Sequence, residues 1–122
     1  MPTEPEPLTL AHAVRRAVEA CDPDGTDADL SRLLEAFEDA DEPIAGAVGL
    51  EARLAEARGR IAADDDAPAL ETAVAIVTYL AHRRDEADVE PHRLLTLAAR
   101  AEFHGAPPAG VARWLEERGV SA

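Results

Sequence analysis

The 122-residue chain contains no lysine, and all 12 of its arginine-or-lysine positions are arginine. A P-loop needs a lysine to reach the β- and γ-phosphates, and Schiff-base and pyridoxal chemistry need a lysine amine, so these activities are excluded. The single cysteine, Cys21, excludes an internal disulfide. Serines are equally scarce, with only Ser31 and Ser121 present. Cys21 lies nine residues from His12, which on a helix places the two on nearly opposite faces, so no nucleophile sits beside a base. The longest apolar stretch, Ala69 to Ala81, has 13 residues interrupted by Glu71, too short to span a bilayer. The start, MPTEPEP, is acidic and proline-rich rather than basic then apolar, so no signal peptide is expected and the chain reads as intracellular, in the cytoplasm.

What is present is acid and alanine. Asp and Glu number 25, giving a formal net charge of -13, and alanine supplies 27 of the 57 residues of hydrophobic type. Aromatic residues are two Phe, one Tyr and one Trp. Leu, Ile, Val and Phe together number 26, just above the fraction of about 20 % below which a highly charged chain stays disordered. One modest core is therefore expected, as a single helical domain over residues 8–122 preceded by a disordered tail at residues 1–7. At this charge a compact chain repels itself unless salt screens it. The combination of many acids, much alanine, and arginine without lysine resembles the composition of proteins from salt-accumulating halophilic archaea, a resemblance that implies a salt-rich cytoplasm and no particular family.

The periodicity is helical throughout. Leu10, Val14, Ala17, Val18 and Cys21 recur at steps of three and four, predicting a first helix from Thr9 to Cys21. Thr26 with Asp29 forms a [ST]-x-x-[DE] start signal for a second helix that carries Leu30, Leu33, Leu34 and Phe37 and ends near Ala40. Four further segments open on proline, at Pro43, Pro68, Pro91 and Pro107-Pro108, as helix starts tolerate the missing N–H. The segment from Pro68 to Arg84 is expected to be central, with Leu70, Ala73, Val74, Val77, Leu80 and Ala81 on one face and Ile76 beside it. The fifth, Pro91 to His104, presents Leu94, Leu97, Ala98 and Ala101; the sixth, Pro108 to Arg118, presents Val111, Trp114 and Leu115. No segment alternates with period two between hairpin turns. The fold class is all-α, a single compact bundle of five to six short, proline-initiated helices with a C-terminal helical hairpin at 91–119.

Charge is unevenly distributed. Residues 1–76 hold 18 acids and 6 Arg, net -12, whereas residues 77–122 hold 7 acids and 6 Arg, net -1. On a chain otherwise covered in carboxylate, a nearly neutral surface bearing arginine and histidine is where a partner would dock. The candidate partner-binding residues are Arg83, Arg84, Arg93, Arg100, His104, Arg113 and Arg118. The alternative is that more of this region is simply buried.

Other chemistries are incompletely encoded. The turn Asp22-Pro23-Asp24-Gly25 resembles part of the calcium loop of EF-hands, but the first and twelfth positions would be Ala20 and Ser31, so no metal site is expected. The residues three before His12, His82, His92 and His104 are Thr9, Tyr79, Val89 and Ala101, so the Glu-x-x-His pairs of di-iron bundles are missing. No cofactor is implied. Residues 91–104 and 108–118, joined through Gly105, resemble a helix-turn-helix in Ala101, Gly105, Val111 and Trp114. That resemblance implies DNA binding, with Arg113 the sole base reader and arginines on the phosphates, but the overall charge opposes it. Among carboxylates, Glu71 at the edge of the most apolar helix is the candidate for acid–base chemistry, with a helix N-terminal charge interaction as its plainer role. The expectation is a non-enzymatic helical interaction or regulatory module that binds protein, or itself, through its C-terminal half. A helix-turn-helix regulator is the alternative and a carboxylate-dependent bundle enzyme the third.

Overall fold

The computed structural model describes residues 8–44, 49–62, 67–82, 89–103 and 107–120. The tail at 1–7 and the residues Gly46, Val48, Arg83, Arg84, His104 and Gly105 lie outside the described residues. Among those described there are six helices, α1 (Leu10–Cys21), α2 (Ala28–Ala36), α3 (Leu50–Ala62), α4 (Pro68–His82), α5 (Pro91–Phe103) and α6 (Ala109–Glu117), and no strand. The fold is an all-α bundle.

α1 starts where the sequence predicts. Thr9 caps it, its Oγ1 accepting the His12 N–H at 3.1 Å. Other N–H groups of the first turn are met from elsewhere in the chain: Leu10 N–H donates to the Glu42 carbonyl and Ala11 N–H to the Ala40 carbonyl, each at 2.9 Å. Ile44 N–H returns to the Leu8 carbonyl at 2.8 Å, and Thr9 pairs with Pro43 in an isolated antiparallel bridge. Residues 40–44 thus strap the entry of α1.

Three expected boundaries differ. α3 begins at Leu50 rather than at Pro43, which belongs to this strap; Ile44 beside it is in a 3-10 turn and residues 45–48 lie outside the described residues. The cap of α2 is Asp27 rather than Thr26; its carboxylate accepts from Asp29 N–H at 2.9 Å and Leu30 N–H at 3.2 Å, while Thr26 is held by Asp22. α2 ends at Ala36 rather than near Ala40, since Phe37, Glu38 and Ala40 turn back with short-range bonds to Leu34, Glu35 and Phe37. Pro68 and Pro91 are the first residues of α4 and α5, and Pro108 is the cap residue of α6.

α4 is the axis of the bundle and packs against all five other helices. It is the most apolar of the six, and its burial runs almost all the way round, through Ala69, Leu70, Thr72, Ala73, Ala75, Ile76, Val77, Tyr79 and Leu80. The single apolar face expected of it is too narrow: Ile76 is fully buried and Val74 only partly. The one buried polar side chain among the described residues, Thr72, donates its hydroxyl to the Pro68 carbonyl at 2.7 Å, so no polar group is stranded there. Leu10, Val14 and Ala17 of α1, Leu30 and Leu33 of α2, Leu54 of α3, Leu94, Leu95 and Ala98 of α5 and Val111, Trp114 and Leu115 of α6 join α4 in one core cluster. Val120 closes it. Gly119, at φ +73°, lets Val120 N–H fold back to the Leu115 carbonyl at 2.9 Å and buries the Val120 side chain behind α6.

Candidate partner-binding surface

The described arginines of the second half lie on α5 and on or just after α6. Arg93 and Arg100 are exposed on α5. Seven residues apart, they share one helical face, and half-buried Leu97 lies between them on it. Arg113 is exposed on α6. Arg118 follows α6 and is already engaged: its guanidinium lies 3.8 Å from the centroid of the Trp114 ring and Nη1 donates to the Trp114 carbonyl at 3.3 Å. The four-residue spacing of Trp114 and Arg118 is the signal in the sequence that this contact is possible. Arg83, Arg84 and His104 lie outside the described residues, and the other four are the ones described.

Pairing separates these arginines from four of the six in the first half, Arg15 and Arg32 being the exceptions. Arg16 bridges Glu19 at 3.3 Å, Arg53 bridges Glu42 at 2.6 Å, Arg58 is paired with Glu71 and Arg60 with Glu56. Among the described residues, none of Arg93, Arg100, Arg113 and Arg118 forms an ion pair. The nearest acid in sequence to Arg93 is occupied otherwise: the Glu90 carboxylate accepts the N–H groups of His92 at 3.0 Å and Arg93 at 3.1 Å at the start of α5. These bonds hold the Glu90 carboxyl below the usual carboxylate range. The second half therefore presents guanidinium groups whose charge no neighbouring carboxylate among the described residues neutralises.

For the helix-turn-helix reading the relevant geometry is the packing of α5 on α6. Both helices pack on α4, and the principal helix contact of α6 is with α4 rather than with α5. Ala101, the small residue expected to let the two helices approach, is exposed, whereas Ala98 and Ala99 are buried. At the start of α6, where such a motif reads base edges, Pro108 supplies no side-chain cap and Ala109, Gly110 and Ala112 offer no hydrogen-bonding side chain.

The turn between α1 and α2 uses its acids for the backbone. The Asp22 carboxylate accepts Thr26 N–H at 3.0 Å, the Thr26 hydroxyl at 3.4 Å and Asp27 N–H at 2.9 Å. The bond from Asp27 is the largest of the effects that lower its pKa. Gly25, at φ +67°, allows the reversal. Among the described residues no group of three or more His, Cys, Asp or Glu converges as a metal would require. Cys21 is buried, and that burial pushes its thiol pKa far up, leaving it a small core residue. Glu71 is not held in an apolar pocket; it sits half-buried against Arg58 of α3. Glu102 on α5 is the one carboxylate among the described residues with a buried oxygen lacking a hydrogen-bond partner, and no pattern in the sequence marks it.

Among the described residues the surface carries open hollows. A hollow of about 250 Å³ lies between the end of α2 and α3, over Phe37, Ala57 and Ile61 and beside Arg53, whose guanidinium is 5.9 Å from the Phe37 ring centroid. A second, about 220 Å³, lies between α1 and α2 over Ala11 and Leu34, with Arg15, Glu35 and Glu38 at its rim. A third, about 210 Å³, lies at the start of α4 beside Asp27, Asp29 and Trp114. Among the described residues, no helix is long and apolar enough to cross a membrane.

These observations define a class, an acidic all-α bundle arranged around a central apolar helix. Compared with family models, with curated proteins and with solved structures, the chain matches none.

Proposed function

We propose that the protein is a non-enzymatic helical interaction module of a salt-rich cytoplasm that binds another protein through its less acidic C-terminal half. The observation that carries this reading is the contrast in pairing: four of the six arginines of residues 1–76 are ion-paired, and none of Arg93, Arg100, Arg113 and Arg118 is, among the described residues. Exposed ion pairs contribute only about 0–1 kcal/mol, so leaving arginines unpaired sacrifices little stability. An unpaired guanidinium keeps its donors free for a partner's carboxylate, with which it forms planar, two-point contacts. Arg118, stacked on Trp114, is pre-ordered and loses less side-chain freedom on binding.

The experiment is affinity capture from lysate in molar KCl, comparing wild type with R93E/R100E/R113E. A partner retained by wild type and lost by the variant supports the reading; repeated capture of nothing, with a monomer by light scattering, overturns it. Duplex DNA offered in parallel from low to high KCl separates the regulator alternative, because phosphate contacts weaken steeply as salt rises.

A further inference from the structure

Two surfaces of this chain complement each other in charge. On α5, Leu97, partly buried against the core, lies between Arg93 and Arg100, neither of them ion-paired among the described residues. On the other side of the sequence's charge divide, the hollow between α1 and α2 has an apolar floor at Ala11 and Leu34 and carboxylates Glu35 and Glu38 at its rim. Glu35 and Glu38 are exposed and likewise unpaired among the described residues, and the one cation at the rim, Arg15, is outnumbered by them.

We propose that the protein self-associates head to tail, with the Arg93–Leu97–Arg100 face of one copy covering the α1–α2 hollow of the next while Arg93 and Arg100 close on Glu35 and Glu38. The inference rests on the reading of the C-terminal half as a binding surface and names its occupant as a second copy. The two faces differ, so the contact is heterologous and each copy keeps one face free, which gives growing chains or a ring rather than a closed two-fold dimer.

Salt acts in an unusual direction. Two bodies of charge -13 repel over the whole Debye length in dilute buffer, whereas in molar salt that length is about 3 Å and only groups in contact still sense one another. Burial of Leu97 is not screened by salt. Association therefore grows from dilute buffer to molar KCl, opposite to binding a phosphate backbone.

The test is sedimentation and light scattering of the full chain against protein concentration in 2 M KCl, with two charge-reversed variants. R93E/R100E makes both faces acidic and E35R/E38R makes both basic. The expected result is concentration-dependent growth of wild type, a monomer for each variant alone, and restored association when the two are mixed in equal amounts. Circular dichroism verifies that each variant is folded, and a variant that does not fold is replaced by its neutral form, R93Q/R100Q or E35Q/E38Q, expected to weaken association by at least tenfold. Wild type remaining monomeric at millimolar concentration overturns the proposal, as does association of either variant alone to the wild-type extent. A monomeric wild type that still captures a different protein through its arginines overturns only the second copy as occupant; a wild type that neither associates nor captures anything overturns the interaction reading as well.

Discussion

Replacing Ile76 by alanine distinguishes a helix buried all round from one that is apolar on a single face. Ile76 is fully buried in α4, and Val74, which the helical spacing alone points inward, is only partly so. Ile76→Ala removes three fully buried carbons, worth about 0.8 kcal/mol each in transfer, and leaves a cavity in a helix enclosed by its neighbours, for a total of about 3–4 kcal/mol. Val74→Ala removes two carbons that already meet solvent, for about 1 kcal/mol. Urea unfolding in 2 M KCl followed by circular dichroism measures both, because urea leaves the ionic strength unchanged. With a slope of about 1.5 kcal/mol per molar urea, Ile76→Ala lowers the midpoint by about 2 M and Val74→Ala by less than about 1 M. An unchanged slope confirms that stability, not the denatured state, has moved. A loss below about 1 kcal/mol for Ile76→Ala, or a larger loss for Val74→Ala, refutes the placement of α4 at the centre.

Other consequences follow from single groups. The folded-state pKa of Asp22 is lowered by the backbone N–H groups it accepts, so its contribution to stability is fully present above the unfolded value, near pH 4, and is lost as pH falls through the folded value. The stability gap between wild type and Asp22→Asn, measured by urea titration, should therefore shrink below about pH 4; a gap that stays constant or widens contradicts this role. Cys21 is 2 % exposed, so an aromatic disulfide reagent should label it only as the protein unfolds, and rapid labelling of the native protein at neutral pH would show that the α1 terminus is open. With a net charge of -13, helical circular dichroism should fall on dialysis from molar KCl into dilute buffer; full retention means that the acidity has another cause than the solvent.

Much of the fold is written in local spacing. The helical periods around Leu10, Leu30, Leu94 and Val111 locate the buried faces, and Pro68 and Pro91 mark helix starts, since a proline there forfeits no helical hydrogen bond. Pro43 pairs with Thr9, far back along the chain, a contact that no local spacing records. At the start of α2 two capping signals overlap by one residue, and Asp27 takes the cap because Asp22 holds Thr26. The width of the buried face of α4 depends on how many helices surround it, which no local pattern records.

The candidate surface is legible in the same partial way. The count of arginines and their place in the second half come from the sequence, whereas their lack of carboxylate partners among the described residues does not. Glu42 reaches Arg53 from outside α3 and Glu71 reaches Arg58 from another helix, pairings that only the fold determines. Ala101 shows the reverse: its spacing points inward with Leu94 and Ala98, yet it is exposed, because α6 packs on α4 and leaves that side of α5 open. The hollow at Ala11, Leu34, Glu35 and Glu38 joins two helices and has no signature in either.

If binding resides in the unpaired arginines of α5 and α6, and not in arginine content generally, charge reversal there must act differently from charge reversal elsewhere. Partner retention in molar KCl by R93E/R100E/R113E is therefore measured beside a control, R53E/R60E, which reverses two ion-paired arginines of α3. Retention is expected to be lost in the first variant and to persist in the second; equal loss in both, or loss only in the control, places binding elsewhere than in these arginines.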